Sequence, residues 1–228
     1  MPVRALLILL AFAGVACGPA PRATTTPAAG PAPPVAAPRE EIVVLVLGDS
    51  LAAGQGLPAG QAFPALVEDG FSGEGLAVRV VNAGVSGDTT AGGLRRIDWV
   101  LKANSPDVVV VELGANDGLR GLSLADTESN LRSLIESSRS AGADVLLTGM
   151  LMPPNYGPDY ADGFAAMFPR VAEETGAALL PFLLEGVAAN PALNLPDGIH
   201  PNAEGHRIMA ANLAEALRPL IGKRTGPR

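Results

Sequence analysis

Ile42 to Leu47 reads IVVLVL, six consecutive aliphatic residues with no polar alternation. Such a run suits a strand covered on both faces, and strands of that kind belong to parallel sheets enclosed by helices. The run stops at Gly48. Asp49 and Ser50 are both common helix N-cap types, and the small residues Ala52 and Ala53 follow. A strand therefore hands over to a helix, with Ser50 at the turn. In open α/β sheets ligands bind at the carboxyl ends of the strands, where a helix N-terminus offers unpaired backbone N–H groups. Ser50 is a candidate nucleophile there; the alternative is that Asp49 or Ser50 only caps a helix.

The pattern repeats along the chain. Strands are expected over Ala77–Asn82, Asp107–Leu113, Asp144–Gly149 and Ala178–Leu183. Helices are expected over Gln61–Asp69, from the loop after Asn82 to about Lys102, and from a capping box at Ser123 and Asp126 to a stop at Gly142. A long loop follows the fourth strand, in the segment MLMPPNYGPDY from Met150 to Tyr160, and Phe164, Phe168, Val171 and Ala172 outline a helix kinked at or beginning near Pro169. The last helix starts near Pro201, with Met209, Leu213, Leu217 and Leu220 as its apolar stripe. Strands separated by helices imply right-handed crossovers and one three-layer α/β/α sandwich with a five-stranded parallel sheet.

Ahead of that domain the character changes. Ala5 to Ala16 is an apolar run after a singly basic start, of signal-peptide length and too short to span a bilayer, and Cys17 follows at once. Residues 1–16 are read as a signal peptide of lipoprotein type, with Cys17 as the lipidation site; simple secretion is the alternative. Residues 17–39 form a linker: Gly18 to Pro38 holds seven Pro, seven Ala and three Thr, a composition that cannot bury apolar surface and suits an extended tether of at most ~65 Å. The expected location is outside the cytoplasm, in a bacterial cell envelope or periplasm, lipid-anchored. The formal charge of −7 and the absence of a basic run argue against nucleic acid as a partner.

Four segments carry small or amide residues where chemistry is expected: GDS after the first strand, NAG after the second, GAND after the third, and DGIH before the last helix. Parallel strands bring their carboxyl ends to one edge, so Ser50, Gly84 and Asn116 can meet. Ser50 would attack a carbonyl, with the N–H groups of Ser50 and Gly84 and the Asn116 amide as oxyanion donors. Serine needs a base, and the chain has two histidines, His200 and His206. His200 stands three residues after Asp197 in a loop, where one turn places carboxylate against imidazole. His206 lies inside the last helix with no identified partner and is read as surface or structural.

GDSL at Gly48 to Leu51, NAGVSGDTT at Asn82 to Thr90, GAND at Gly114 to Asp117 and DGIHPN at Asp197 to Asn202 together resemble the four sequence blocks of the SGNH hydrolases, also called GDSL esterases/lipases. GAND followed by GLRGLS, and the PPNYGPDY loop, further resemble the subgroup of acyl-CoA thioesterases, arylesterases and lysophospholipases. The resemblance covers about Glu41 to Ile221, so that 40–222 is read as the hydrolase domain and 223–228 as a polar tail. It implies a flavodoxin-like sheet, a Ser50, Asp197, His200 triad, an oxyanion hole of Ser50, Gly84 and Asn116, no metal and no organic cofactor.

The function expected is that of a monomeric serine esterase that hydrolyses carboxylic esters or thioesters through an acyl-enzyme on Ser50, acting on a small acyl ester or a lysophospholipid. Leu119, Leu122 and the Pro153 to Tyr160 loop flank the site, as an acyl groove or as plain packed loop. Two other readings stay open: a carbohydrate O-deacetylase built on the same blocks, and a non-catalytic envelope-binding lipoprotein.

Overall fold

The computed structural model describes residues 41–225. The signal-type segment, Cys17 and the Pro/Ala-rich linker lie outside the described residues. The described residues make up one compact unit.

The first strand, β1 (Ile42–Gly48), is buried along its whole length, as the unbroken aliphatic run requires. A four-residue helix, α1 (Ser50–Ala53), follows directly, and α2 (Phe63–Gly73) comes after a single 3-10 turn. Then come β2 (Val78–Gly84), α3 (Thr90–Asn104), β3 (Val108–Glu112), a short α4 (Ala115–Leu119) and α5 (Leu124–Ser140). The chain finishes with β4 (Asp144–Thr148), α6 (Pro158–Thr175), β5 (Ala178–Leu180) and α7 (Ala203–Thr225). All pairings are parallel and the strand order is 2-1-3-4-5, the flavodoxin-like arrangement. Right-handed crossovers put α2 and α7 together on one face and α3, α5 and α6 in a row on the other. The central strands β1 and β3 are wholly buried, whereas the edge strands β2 and β5 are mostly half-exposed.

Registers matter most for the site. Gly48 pairs with Gly84 on one side and with Glu112 on the other, so β1, β2 and β3 end level. Whatever follows those three residues in sequence is delivered to one edge of the sheet.

Several boundaries differ from expectation, each for a local reason. GAND is not an open loop: Gly114, at φ +119°, caps α4, and Asn116 stands in its first turn. The helix expected near Pro169 begins at Pro158, in its first turn where a missing N–H costs nothing, and runs through Pro169. The last helix does not start at Pro201, which forms an antiparallel bridge with Asn194. Asn202 sets the start instead, its Oδ1 accepting from the N–H groups of Glu204 (3.0 Å) and Gly205 (3.1 Å). At its other end α7 takes in Lys223 and Arg224, assigned above to the tail; cations suit a helix C-terminus, and Arg224 Nε lies 2.8 Å from Asp144 Oδ2. The fifth strand ends at Leu180 because Pro181 has no N–H for the ladder.

Candidate active site

The turn out of β1 presents Ser50 at the head of α1. Asp49 is the N-cap, and its Oδ1 accepts from Leu51 N–H at 2.9 Å. The Asp49 N–H in turn donates to Glu112 Oε2, at 3.2 Å, from the end of β3. Both carboxyls are buried. Burial pushes the Asp49 carboxyl up to about 6, with the Leu51 and Asn116 hydrogen bonds acting the other way. Burial, and then the neighbouring Asp49 charge, push Glu112 well above its ordinary range. The acids occupy the N–H groups on either side of Ser50, and the Ser50 N–H is left directed at no acceptor among the described residues.

His200 reaches the serine from across the sheet. Its Nε2 lies 3.0 Å from Ser50 Oγ and its Nδ1 lies 2.8 Å from Asp197 Oδ2. The loop is held on both sides. Leu195 N–H donates to His200 O and Asn202 N–H to Leu193 O, while Asp197 Oδ1 accepts from the N–H groups of Ile199 and His200. Those two backbone donors, together with the imidazole, hold the Asp197 carboxyl down at about 2, so it is an anion throughout the neutral range. Ser50, His200 and Asp197 are thus brought into one hydrogen-bonded line.

Asn116 also arrives where the level strand ends direct it. Its Nδ2 donates to Asp49 Oδ2 at 2.9 Å, which leaves one amide proton over. Gly84 does not fit its expected part. Its N–H donates to Asn82 Oδ1 at 2.9 Å, and a Cβ on it would run into the backbone N of Ala53, so it packs against the back of α1. The donor expected at Gly84 is therefore already used. Another glycine of the same loop, Gly87, sits at φ +79° in the turn closed by Asp88 N–H to Val85 O, and its own N–H has no acceptor among the described residues. Arg120 Nη2 holds the Gly87 carbonyl at 2.7 Å.

Two supports escaped the sequence reading. Arg96, from α3, contacts Asp88 Oδ2 (2.8 Å), Ala83 O (2.7 Å) and Gly48 O (3.0 Å), tying together the ends of β1 and β2 and the turn beyond. Glu112 is the other; its signal was visible as one acid closing an otherwise aliphatic strand. Asp117, the last residue of GAND, faces away from Ser50 and binds Thr90 through its N–H (2.9 Å) and hydroxyl (2.6 Å). His206 is structural and not on the surface: it is 1% exposed, stacks on Phe63, and its Nδ1 accepts from Phe63 N–H at 3.0 Å.

A cleft of about 580 Å³ opens at Ser50 and His200. Leu119, Met150, Leu151, Phe182, Leu184 and Ile199 supply much of its wall. Leu119 and Pro153 therefore line it as one of the two readings expected, whereas Leu122 stands outside. Half of the lining residues come from the segments after β4 and β5 outside the four sequence blocks. The arrangement offers an activated hydroxyl, a base with an anionic partner, hydrogen-bond donors beside it and an apolar cleft leading away. That is equipment for acyl transfer.

The model of the GDSL-like Lipase/Acylhydrolase family matches residues 46–208. The chain is 44% identical over 178 residues to Esterase TesA of Pseudomonas aeruginosa, covering 78% of this chain and 89% of that protein. It is 42% identical to Thioesterase 1/protease 1/lysophospholipase L1 of Escherichia coli K12, over 78% of this chain and 84% of that one. Among solved structures, the psychrotrophic esterase EstA from Pseudoalteromonas sp., inhibited by monoethylphosphonate, superposes with a TM-score of 0.77 at 34% identity, over 80% of this chain and 100% of that one.

Proposed function

From the premise that the chain belongs to the GDSL-like lipase/acylhydrolase family, the SGNH hydrolases, we propose a mechanism and a substrate class for it. It is a serine hydrolase acting on ester bonds, of the esterase and thioesterase kind. Its substrates are small esters or lysophospholipids. Ser50 is the nucleophile. His200 Nε2 takes the Ser50 proton as Oγ attacks the carbonyl carbon, and then gives that proton to the departing alcohol or thiol as the acyl-enzyme forms. Water repeats the sequence: His200 takes its proton as the water oxygen attacks the acyl carbon, then returns that proton to Ser50 Oγ as the acyl–Ser50 bond breaks and the carboxylic acid leaves. Asp197 keeps His200 in the tautomer that leaves Nε2 free to accept. The oxyanion is met by the Ser50 N–H and the spare Asn116 amide proton. The third donor is Gly87, in place of Gly84; its unpaired N–H and the Arg120 contact that fixes its turn support that choice.

One observation carries the reading. The Ser50–His200–Asp197 line, at 3.0 and 2.8 Å, stands at a largely apolar cleft of about 580 Å³. A cleft of that size and lining suits the acyl chain of a lipid-derived ester better than an acetyl group on a sugar. The test is hydrolysis of p-nitrophenyl esters from acetyl to long acyl by residues 38–228, with Ser50→Ala as control. Activity that peaks at medium or long chains and vanishes in the variant is expected. Acetyl-only activity would move the protein to carbohydrate deacetylation, and none at all would restore the binding lipoprotein.

We place the enzyme outside the cytoplasm, tethered through Cys17. The apolar segment Ala5 to Ala16, the cysteine directly after it and the Pro/Ala-rich spacer support this. Metabolic labelling with palmitate, lost in Cys17→Ser, checks the tether.

A further inference from the structure

Large apolar side chains exposed to solvent are few among the described residues, and most stand at one place. Val85 (49% exposed), Leu119, Leu122 (41%), Leu151 and Ile199 are on the carboxyl edge of the sheet; Trp99, the other, is on α3. Leu119, Leu151 and Ile199 line the cleft mouth. Val85 and Leu122 do not line it and lie just outside.

Their backbones are held together. Arg120 Nη2 donates to Gly87 O, joining the turn that carries Val85 to the segment Leu119–Leu122. Tyr156 Oη donates to Leu119 O and Tyr160 Oη to Leu122 O, each at 2.9 Å, joining that segment to the 3-10 turn after Pro153 and to the start of α6. These bonds tie the turn of Val85, the segment Leu119–Leu122 and the stretch Tyr156–Tyr160 into a collar beside the cleft. Exposed apolar residues that surround the entrance of an apolar cleft mark an interaction surface.

We propose that this collar docks the enzyme on a zwitterionic phospholipid surface, so that an acyl ester passes from the lipid layer into the cleft without crossing water. The inference rests on the lipid-type esterase reading above. Charge selects the kind of surface: the chain as a whole carries −7, which repels an anionic layer and leaves a zwitterionic one accessible. Val85 and Leu122 contribute to docking without forming part of the substrate cleft.

The test separates docking from catalysis. Residues 38–228 carrying Ser50→Ala, which binds without hydrolysing, are sedimented with vesicles of phosphatidylcholine alone and of phosphatidylcholine with phosphatidylglycerol. Binding to the zwitterionic vesicles is expected, weaker on the anionic ones, and lowered about tenfold or more by Val85→Ser with Leu122→Ser, since two apolar side chains then stay in water. With Ser50 intact, the double variant keeps full hydrolysis of a short soluble ester, which also shows that it folds. Trp99→Ser, away from the collar, leaves vesicle binding unchanged. No binding by the unsubstituted collar, a preference for anionic vesicles, indifference to the double substitution, or a dimer in sedimentation equilibrium abolished by that substitution would each overturn the proposal. Failure of soluble-ester hydrolysis by the unsubstituted protein would instead strike the esterase reading, since vesicle binding is measured on an inactive variant.

Discussion

Asn116 has two amide protons, and one is engaged by a buried carboxyl, Asp49 Oδ2 at 2.9 Å. On the proposed mechanism the residue serves the oxyanion and the nucleophile turn together, and Asn116→Ala should show both losses. The kcat for a soluble ester is expected to fall roughly 10²- to 10³-fold, the effect of deleting one oxyanion donor. Denaturant titration should register about 1–3 kcal/mol lost, because the Asp49 oxygen is left buried and unpaired. Near-normal turnover would remove Asn116 from the oxyanion site. Asp197 is different, with its side chain 45% exposed. A buried triad aspartate changed to asparagine costs about 10⁴ in kcat; solvent beside Asp197 can replace part of its role, so Asp197→Asn should cost about 10²- to 10³-fold, and a fall below tenfold would show that His200 is oriented by other groups. His206 acts on stability alone. Burial lowers it from 6.5 to about 4, so the folded protein keeps it neutral while the unfolded chain protonates it. The contribution is whole above pH 6.5 and is lost as pH falls to about 4, which amounts to roughly 3 kcal/mol. His206→Gln retains an acceptor for Phe63 N–H and should flatten the acid side of a plot of Tm against pH; an unchanged acid limb would mean that other groups set it.

Between elements, the contact that decides the site is β3 against the β1–α1 turn. Glu112 receives the Asp49 and Ala52 N–H groups, so one acid from a neighbouring strand fixes both ends of the turn that bears Ser50. Its raised pKa means that the folded state favours the protonated form, and the associated stability is present at low pH and lost as pH rises from 4.5 through the raised value. Asp49 behaves likewise, losing its contribution as pH rises from 3.8 through about 6. The buried acids and His206 therefore pull stability in opposite directions between pH 4 and 6. Glu112→Gln keeps an acceptor for the two N–H groups and cannot ionise; it should hold kcat within about tenfold and keep Tm flatter on the alkaline side. Glu112→Leu leaves those groups buried without an acceptor, at about 1–3 kcal/mol each, and should lose activity. Equal behaviour of the two variants would show that Glu112 only fills space. The element scale is also where the sequence was hardest to read. Its strands were legible because both faces of β1, β3 and β4 are covered and leave aliphatic runs. The start of α7 and the short α4 were not, because Asn202 capping and the Gly114 backbone conformation are local contacts that apolar periodicity does not record.

For the whole molecule, topology followed from the alternation of buried runs with helical stripes, since parallel strands joined by right-handed crossovers leave few arrangements. The level ends of β1 and β3 made Ser50 and Asn116 legible as neighbours, and His200 was legible through Asp197 three residues before it in its loop. Gly84 was misplaced because loop sequence alone does not say which of two glycines has a free N–H, and the rest of the cleft wall beyond Leu119 and Pro153 was missed because Met150, Phe182 and Leu184 are ordinary apolar residues until the fold lines them up. The same reasoning separates the domain from what precedes it. Gly18 to Pro38 is too poor in large apolar residues to add to a core, so its contribution to stability should be close to nil. Residues 38–228 and a chain beginning at Gly18 are therefore expected to unfold within about 2 °C of each other by calorimetry, the shift that ~0.5–1 kcal/mol gives in a domain of this size. Their kcat values on a short soluble ester should match as well. A Tm raised well beyond that margin in the longer chain would mean that the spacer packs on the enzyme. It would then be part of the fold, and its reach as a tether would shrink accordingly.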